Sequence, residues 1–185
     1  MTQHTRDSIE KTTQELLRHY GALSVSVDLQ HVARGMQVAI HEKTLEDEVS
    51  GVLIVKGKDR HILVNSAHHP NRRRFTIAHE LGHLVLHDLG KDQVHIDHQM
   101  RLYQRVGEAS SAFYNSQGST TTPQMEREAN MFAAALLMPA PLLQHAALEH
   151  NLWDEADIGS LAIAFGVSEQ AMTIRLQQLK VVEAA

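Results

Sequence analysis

Cysteine is absent from the 185-residue sequence. That removes disulfides and thiolate metal ligands, and it suits a reducing, cytoplasmic setting. Positive charge is in deficit: 17 Lys and Arg face 22 Asp and Glu, for a net charge of −5 and a pI near 6.3. No global basic field is therefore available to hold a polyanion. Long apolar runs are missing too. The longest, 131–143, is too short to cross a bilayer and is broken by Pro139 and Pro141, so no membrane span is expected. The opening residues, MTQHTRDSIEKTTQ, are polar and lack the apolar core of a signal peptide. No internal repeat is visible. The length suits one domain, or one domain with a small appendage, and leaves no room for a separate cofactor-binding domain. An apolar content of 43 % is enough for a packed core.

What the sequence has in abundance is histidine, with 14 residues. Two of them organise the stretch FTIAHELGHLVLH (75–87). His79 and His83 are four apart, so on a helix they share a face and can grip one metal ion. Random placement of so many histidines gives roughly one such pair, but Glu80 at the next position cuts the chance count to below about one tenth. Ile77, Ala78, Leu81, Leu84 and Val85 recur at helical spacing, and Asn71 stands where an N-cap is needed. Glu80 would flank the metal without binding it, the place for a general base acting on a water that the metal activates. The pattern is HExxH. His87 extends the row, but a rise of ~1.5 Å per residue puts it roughly 12 Å from His79 along the axis, outside a common coordination sphere.

A third ligand is expected from MEREANMFAAALLMP (125–139), where Glu126, Ala129, Asn130, Ala133 and Leu137 mark a second helix with an Ala-rich, closely packing side. Glu126 and Asn130 share a face. The carboxylate can ligate, and the amide can accept the outer N–H of a ligating histidine. Glu128 is the competitor; it points about 200° away from Glu126 and otherwise reads as a solvated surface carboxylate. Two histidines and a carboxylate leave one tetrahedral position of a zinc ion open for water.

RRRFTIAHELGHLVLH followed by EREANMFAAALLMP closely resembles the ImmA/IrrE family of metallopeptidases, whose pattern is R-x-R-F-T-x-A-H-E-x-x-H and later E-x-x-A-N-x-F-A-x-x-L-L-M-P. The resemblance extends over SGVLIVKGKDRHILVNS and GSLAIAFGVSEQAMTIRLQQL, most of the chain from about residue 10. It implies a zincin-like fold, with His79, His83 and Glu126 as ligands of zinc, or of manganese in its place, and Glu80 as catalytic base of a gluzincin-like metalloendopeptidase. It also implies a substrate: members cut, or are proposed to cut, repressors of the helix-turn-helix (XRE) type in response to stress or mobile-element signals.

Along the chain, 7–20 reads as an amphipathic helix through Ile9, Leu16, Leu17 and Tyr20, closed by Gly21. Asp28 caps a short helix, 29–34, ended by Gly35. Strands are expected at 36–42, 50–57 and 60–66, the last two forming a hairpin about Lys58 and Asp59. This order predicts an α+β fold with a small, mostly antiparallel sheet packed on the metal-binding helices. Arg72, Arg73 and Arg74 open the metal helix against its macrodipole, so each needs a compensating partner: carboxylates elsewhere in the fold, or a substrate carboxylate. VHID (94–97) reads as an edge strand and 108–123 as a mobile loop. Tyr103, Tyr114, His95 and His98 are candidates to steady an oxyanion, or else ordinary side chains.

The last helices, 142–150, 154–165 and 168–179, form a second unit, giving a division into 1–140 and 141–185. Ala162, Gly166, Val167 and the Ser168 cap resemble a helix-turn-helix. Five acidic residues from Asp154 onward against Arg175 and Lys180 argue against direct DNA binding. The functional alternative to an endopeptidase is a non-catalytic or latent metal-binding regulator, and Glu80 discriminates, since a structural site closes with four ligands and needs no base.

Overall fold

The computed structural model describes residues 4–88, 93–98 and 121–181. Within them the order is α1 (Arg6–His19), α2 (Leu29–Gly35), β1 (Val38–Lys43), β2 (Val49–Lys56), β3 (Asp59–Asn65), α3 (Pro70–Leu86), β4 (Gln93–His98), α4 (Pro123–Leu137), α5 (Ala140–Ala147), α6 (Glu155–Phe165) and α7 (Glu169–Gln178). The class is α+β, as the element order predicts.

The four strands form one sheet in the order β1-β3-β2-β4. β2 pairs antiparallel with both β3 and β4, and β1 runs parallel to β3. The hairpin between β2 and β3 turns at Gly57 and Lys58, one residue earlier than the sequence suggests. Gly57 takes the positive φ of 60° that such a two-residue turn requires. β3 lies inside the sheet, and among the described residues the edges are β1 and β4.

Register decides which side chains meet the helices. His95 pairs with Leu53, which pairs with Ile62, while Asp97 pairs with Gly51, which pairs with Val64. All six are buried, whereas Val94 and Ile96, on the opposite face of β4, are exposed. The period-2 alternation of an edge strand thus aims one histidine and one aspartate inward. α3 packs under β2 and β3 and along α4.

The contact between α3 and α4 is close because small residues face each other. A Cβ at Gly82 would come within 3.2 Å of the Ala129 backbone. α1 covers the other side of α4, burying Ile9, Thr13 and Leu17. Gly35 does not terminate α2: it is the last helical residue, and the left-handed turn falls to Gln37, with φ of 58°. Gly35 lies instead under the ring of Tyr20, where a side chain would collide.

The start of α3 also differs from the sequence reading. Pro70 occupies the first turn, as its fixed φ favours, and the cap is His69, whose side chain accepts from the Asn71 backbone N–H. Asn71 is freed to donate to the Val167 carbonyl at 2.8 Å. The three arginines are compensated in three ways. Arg73 pairs with Glu42. Arg74 donates to the carbonyls of Gly166 and Val27, at 3.2 and 3.0 Å, capping the end of α6. Arg72 donates to Ser50 Oγ at 3.0 Å. Only one of the three therefore uses a carboxylate.

α7 is locked down by Arg175, only 2 % exposed. Its guanidinium donates to the Glu10 carboxylate of α1 and twice to the Met138 carbonyl at the end of α4. α7 is thus tied to α1 and to the end of α4.

Candidate metal centre

His79 and His83 lie one turn apart in the middle of α3, 1 % and 0 % exposed. Their Nε2 atoms are 3.0 Å apart. Glu126, in the first turn of α4, brings Oε2 to 3.2 Å from His79 Nε2 and Oε1 to 3.5 Å from His83 Nε2. β4 adds His95, whose Nε2 is 3.8 Å from Glu126 Oε1. One donor atom from each of the four lies within 4.8 Å of all the others.

Outer hydrogen bonds fix the tautomers. Asn130 Oδ1 lies 3.0 Å from His79 Nδ1; an amide oxygen only accepts, so Nδ1 carries the proton and Nε2 presents its lone pair to the cluster. His83 is held by a two-step relay: its Nδ1 is 3.1 Å from His87 Nδ1, and His87 Nε2 is 3.1 Å from Glu128 Oε2. A carboxylate takes the His87 Nε2 proton, so His87 Nδ1 accepts from His83 Nδ1–H, and His83 Nε2 too faces inward as a lone pair. Two imidazole lone pairs 3.0 Å apart beside a carboxylate are the donor set of a divalent cation such as zinc. The residues present fit a bound metal ion.

Charge within the cluster is consistent with that fit. Burial works against a protonated His79, but its hydrogen bond to Glu126 and the charges of Asp97, Glu80 and Glu126 raise it to about 9, holding a proton where a cation would sit. Burial lowers His83 to about 3. Burial would raise Glu126, yet hydrogen bonds from both histidines hold it well below the usual carboxylate range.

Glu80 is fully buried, and neither of its carboxylate oxygens has a hydrogen-bond partner among the described residues. Burial pushes its carboxyl well above the ordinary value, against the His79 charge, and Asp97 adds to the rise. Gly51 makes its place. A Cβ there would sit 2.5 Å from Thr76 Cγ2 and 3.7 Å from Glu80 Oε1. Arg72, Ser50, Phe75, Thr76, His79, Asp97 and Asn130 line a cavity of about 20 Å³ beside the cluster, room for about one water. A larger open hollow of about 500 Å³, at Arg34, Lys58, Arg60 and their neighbours, shares no residue with the cluster.

The structure brings together His79, Glu80, His83, Glu126 and Asn130. It separates Glu128 from the cluster but does not leave it in solvent: Glu128 is 3 % exposed and accepts from Gln124 and the His4 backbone as well as from His87. The sequence reading takes His87 as structural or as an outer support of the site, the role it has here, but does not foresee that Glu128 completes the relay. It also overlooked Asp97, which the alternation of QVHIDH places on the His95 face. Tyr103, Tyr114, the side chain of His98 and most of the 108–123 stretch lie outside the described residues.

The chain belongs to a family of metallopeptidases, the IrrE N-terminal-like domain family, whose model matches residues 33–177. Among curated proteins it is similar to the radiation response metalloprotease IrrE of Deinococcus radiodurans, 37 % identical over 82 residues, or 44 % of this chain and 20 % of that protein. The Deinococcus deserti protein of the same name is likewise 37 % identical over 82 residues, 44 % of this chain and 24 % of its own length. The matched stretch thus spans a quarter or less of either relative. In fold alone, the chain is similar to a Mycobacterium tuberculosis transcriptional regulator, with TM-score 0.57 and 21 % identity over 92 % of this chain and 46 % of the other. Family membership implies a metal ion, and the buried cluster of histidines and Glu126 could hold one. No helix among the described residues is long and apolar enough to cross a membrane.

Proposed function

We propose that the chain is a zinc-dependent endopeptidase of narrow specificity with a zincin-like arrangement, in which His79, His83 and Glu126 hold the metal, manganese being the alternative ion. Glu80 is its general base. The observation that carries this reading is the meeting of three donor atoms from α3 and α4, each histidine oriented by an outer partner, with a buried carboxylate one residue from the first ligand. The bound ion supplies Lewis acidity, polarising the scissile carbonyl and acidifying a water. Asn130 and the Glu128–His87 relay keep both histidine lone pairs aimed inward. Glu80, as the carboxylate, takes a proton from the attacking water and delivers it to the leaving amine. Substrate enters as an extended strand along β4, the edge nearest the cluster.

The substrate we propose is an XRE-type repressor that exposes a linker or frayed helix at the scissile bond. Incubating the protein with the repressor encoded beside it, with and without chelator, tests this by mass. Two fragments of defined mass are expected only without chelator; an intact repressor in both arms sinks the substrate.

Two further outcomes follow from the geometry. Glu126→Ala is expected to weaken zinc binding by roughly 10²-fold or more, because it removes a donor, whereas Glu128→Ala acts only through His87 and loses about tenfold at most. Equal metal affinity in both variants would refute the ligand assignment. The C-terminal unit, 141–185, is read as a helix-turn-helix-like module that packs on the peptidase or grips a protein. With Arg175 buried in an ion pair, Lys180 is the exposed cation of this segment among the described residues. Duplex DNA should therefore bind no tighter than ~10⁻⁴ to 10⁻⁶ M at physiological salt. Sequence-dependent gel retardation by this protein alone would overturn that.

A further inference from the structure

The cluster has four members, and the fourth comes from the strand along which substrate is proposed to enter. Zinc held at ~2.0 to 2.1 Å in a tetrahedron spaces its ligand atoms about 3.3 Å apart. The observed separations of 3.0, 3.2, 3.5 and 3.8 Å scatter about that value, and the longest is the one made by His95. His95 is 3 % exposed, and its ring centroid lies 4.7 Å from that of His83. The register of β4 on β2 and the inward turn of alternate residues leave it facing the cluster.

We propose that His95 is a fourth metal ligand in the resting protein, so that the centre is closed by His79, His83, His95 and Glu126 and the peptidase is latent. This rests on the reading that the other three residues hold the metal. Four side chains leave a tetrahedral ion no position for water or a scissile carbonyl. A purely structural centre of that kind would have no use for Glu80, and burying a carboxyl with no partner costs stability; closure combined with a buried base is the pattern of an enzyme held shut. The latch is, among the described residues, an edge strand paired with β2, with an irregular register between Val49 and Gly51. A chain that adds to the outer edge of β4, or a protein that grips exposed Val94 and Ile96, acts on the element that carries the fourth ligand.

The rival role for His95 is an oxyanion donor outside the coordination sphere, and metal chemistry separates the two. The full chain, stripped by chelator and reloaded with Co²⁺, is titrated with acetohydroxamate, which takes open coordination positions. Closure predicts that the visible bands of the wild type do not move, while those of His95→Phe shift. His95→Phe is also expected to bind Zn²⁺ about 10- to 100-fold more weakly in competition with a chromophoric chelator. The wild-type titration stands even if the variant folds poorly. A wild-type spectrum that shifts with acetohydroxamate, or a folded His95→Phe with unchanged Zn²⁺ affinity, overturns the fourth ligand. If Glu126→Ala loses zinc and His95→Phe does not, the three-ligand reading survives alone; if the wild type binds no stoichiometric metal, both fall.

Discussion

Replacing Glu80 by glutamine is expected to lower turnover by roughly 10² to 10⁴ while leaving the metal bound. Glutamine keeps the length and shape of a fully buried side chain. It cannot take a proton. Glu80 stands outside the His79, His83, His95 and Glu126 set and falls in a separate grouping with His79 and Asp97, so with the metal held by the first set its affinity should stay close to that of the wild type. Folding should be little affected too, since the native carboxyl is already biased toward its neutral form by burial and a neutral amide replaces it at small desolvation cost. Glu80→Gln should therefore hold an intact repressor long enough to be isolated as a complex, whereas the wild type releases two fragments. Cleavage by Glu80→Gln at the wild-type rate would refute the hydrolytic mechanism. Failure of either form to bind any such repressor would refute the partner while leaving the peptidase intact.

The second large effect concerns stability. Arg175→Ala should cost about 3 to 5 kcal/mol, the usual penalty for breaking a buried ion pair from one side. That is roughly 10² to 10⁴ in the ratio of folded to unfolded chains. The reason is geometric. Arg175 Nη2 meets Glu10 Oε2 at 2.9 Å, and Nε and Nη2 meet the Met138 carbonyl at 3.1 and 3.0 Å. Removing the guanidinium strands a carboxylate and a carbonyl between α1, α4 and α7. Removing both charges is milder, so Glu10→Gln with Arg175→Met should recover most of the loss. Urea unfolding measures all three proteins. A loss below about 1 kcal/mol in Arg175→Ala would place the pair with ordinary surface ion pairs.

Local geometry accounts for what was legible without coordinates. A helix fixes the i, i+4 relation of His79 to His83, the flanking place of Glu80 and the shared face of Glu126 and Asn130, because 3.6 residues per turn leaves no alternative once the helix forms. Caps behaved the same way at Asp28 and Ser168, each of whose side chains accepts from a backbone N–H in the first turn that follows. Where two local signals competed, the sequence misled: Asn71 resembled a cap, but the cap is His69 and α3 starts at Pro70, two residues earlier than an Asn71 cap implies.

Everything that required one element to find another was decided by the tertiary structure. The sequence marked 60–66 as a strand and 94–97 as an edge strand, yet only the sheet order places the first in the interior. Only the pairing of β4 with β2 turns His95 and Asp97 toward α3. Glu128 looked solvated because its own helix says nothing about His87 and His4, which arrive from elements 41 and 124 residues away. Arg175 counted as a surface cation until Glu10, 165 residues distant, claimed it. The division has one physical cause: backbone periodicity sets the direction of a side chain from its nearest neighbours, while its partner is set by packing, which depends on the whole chain closing around one core.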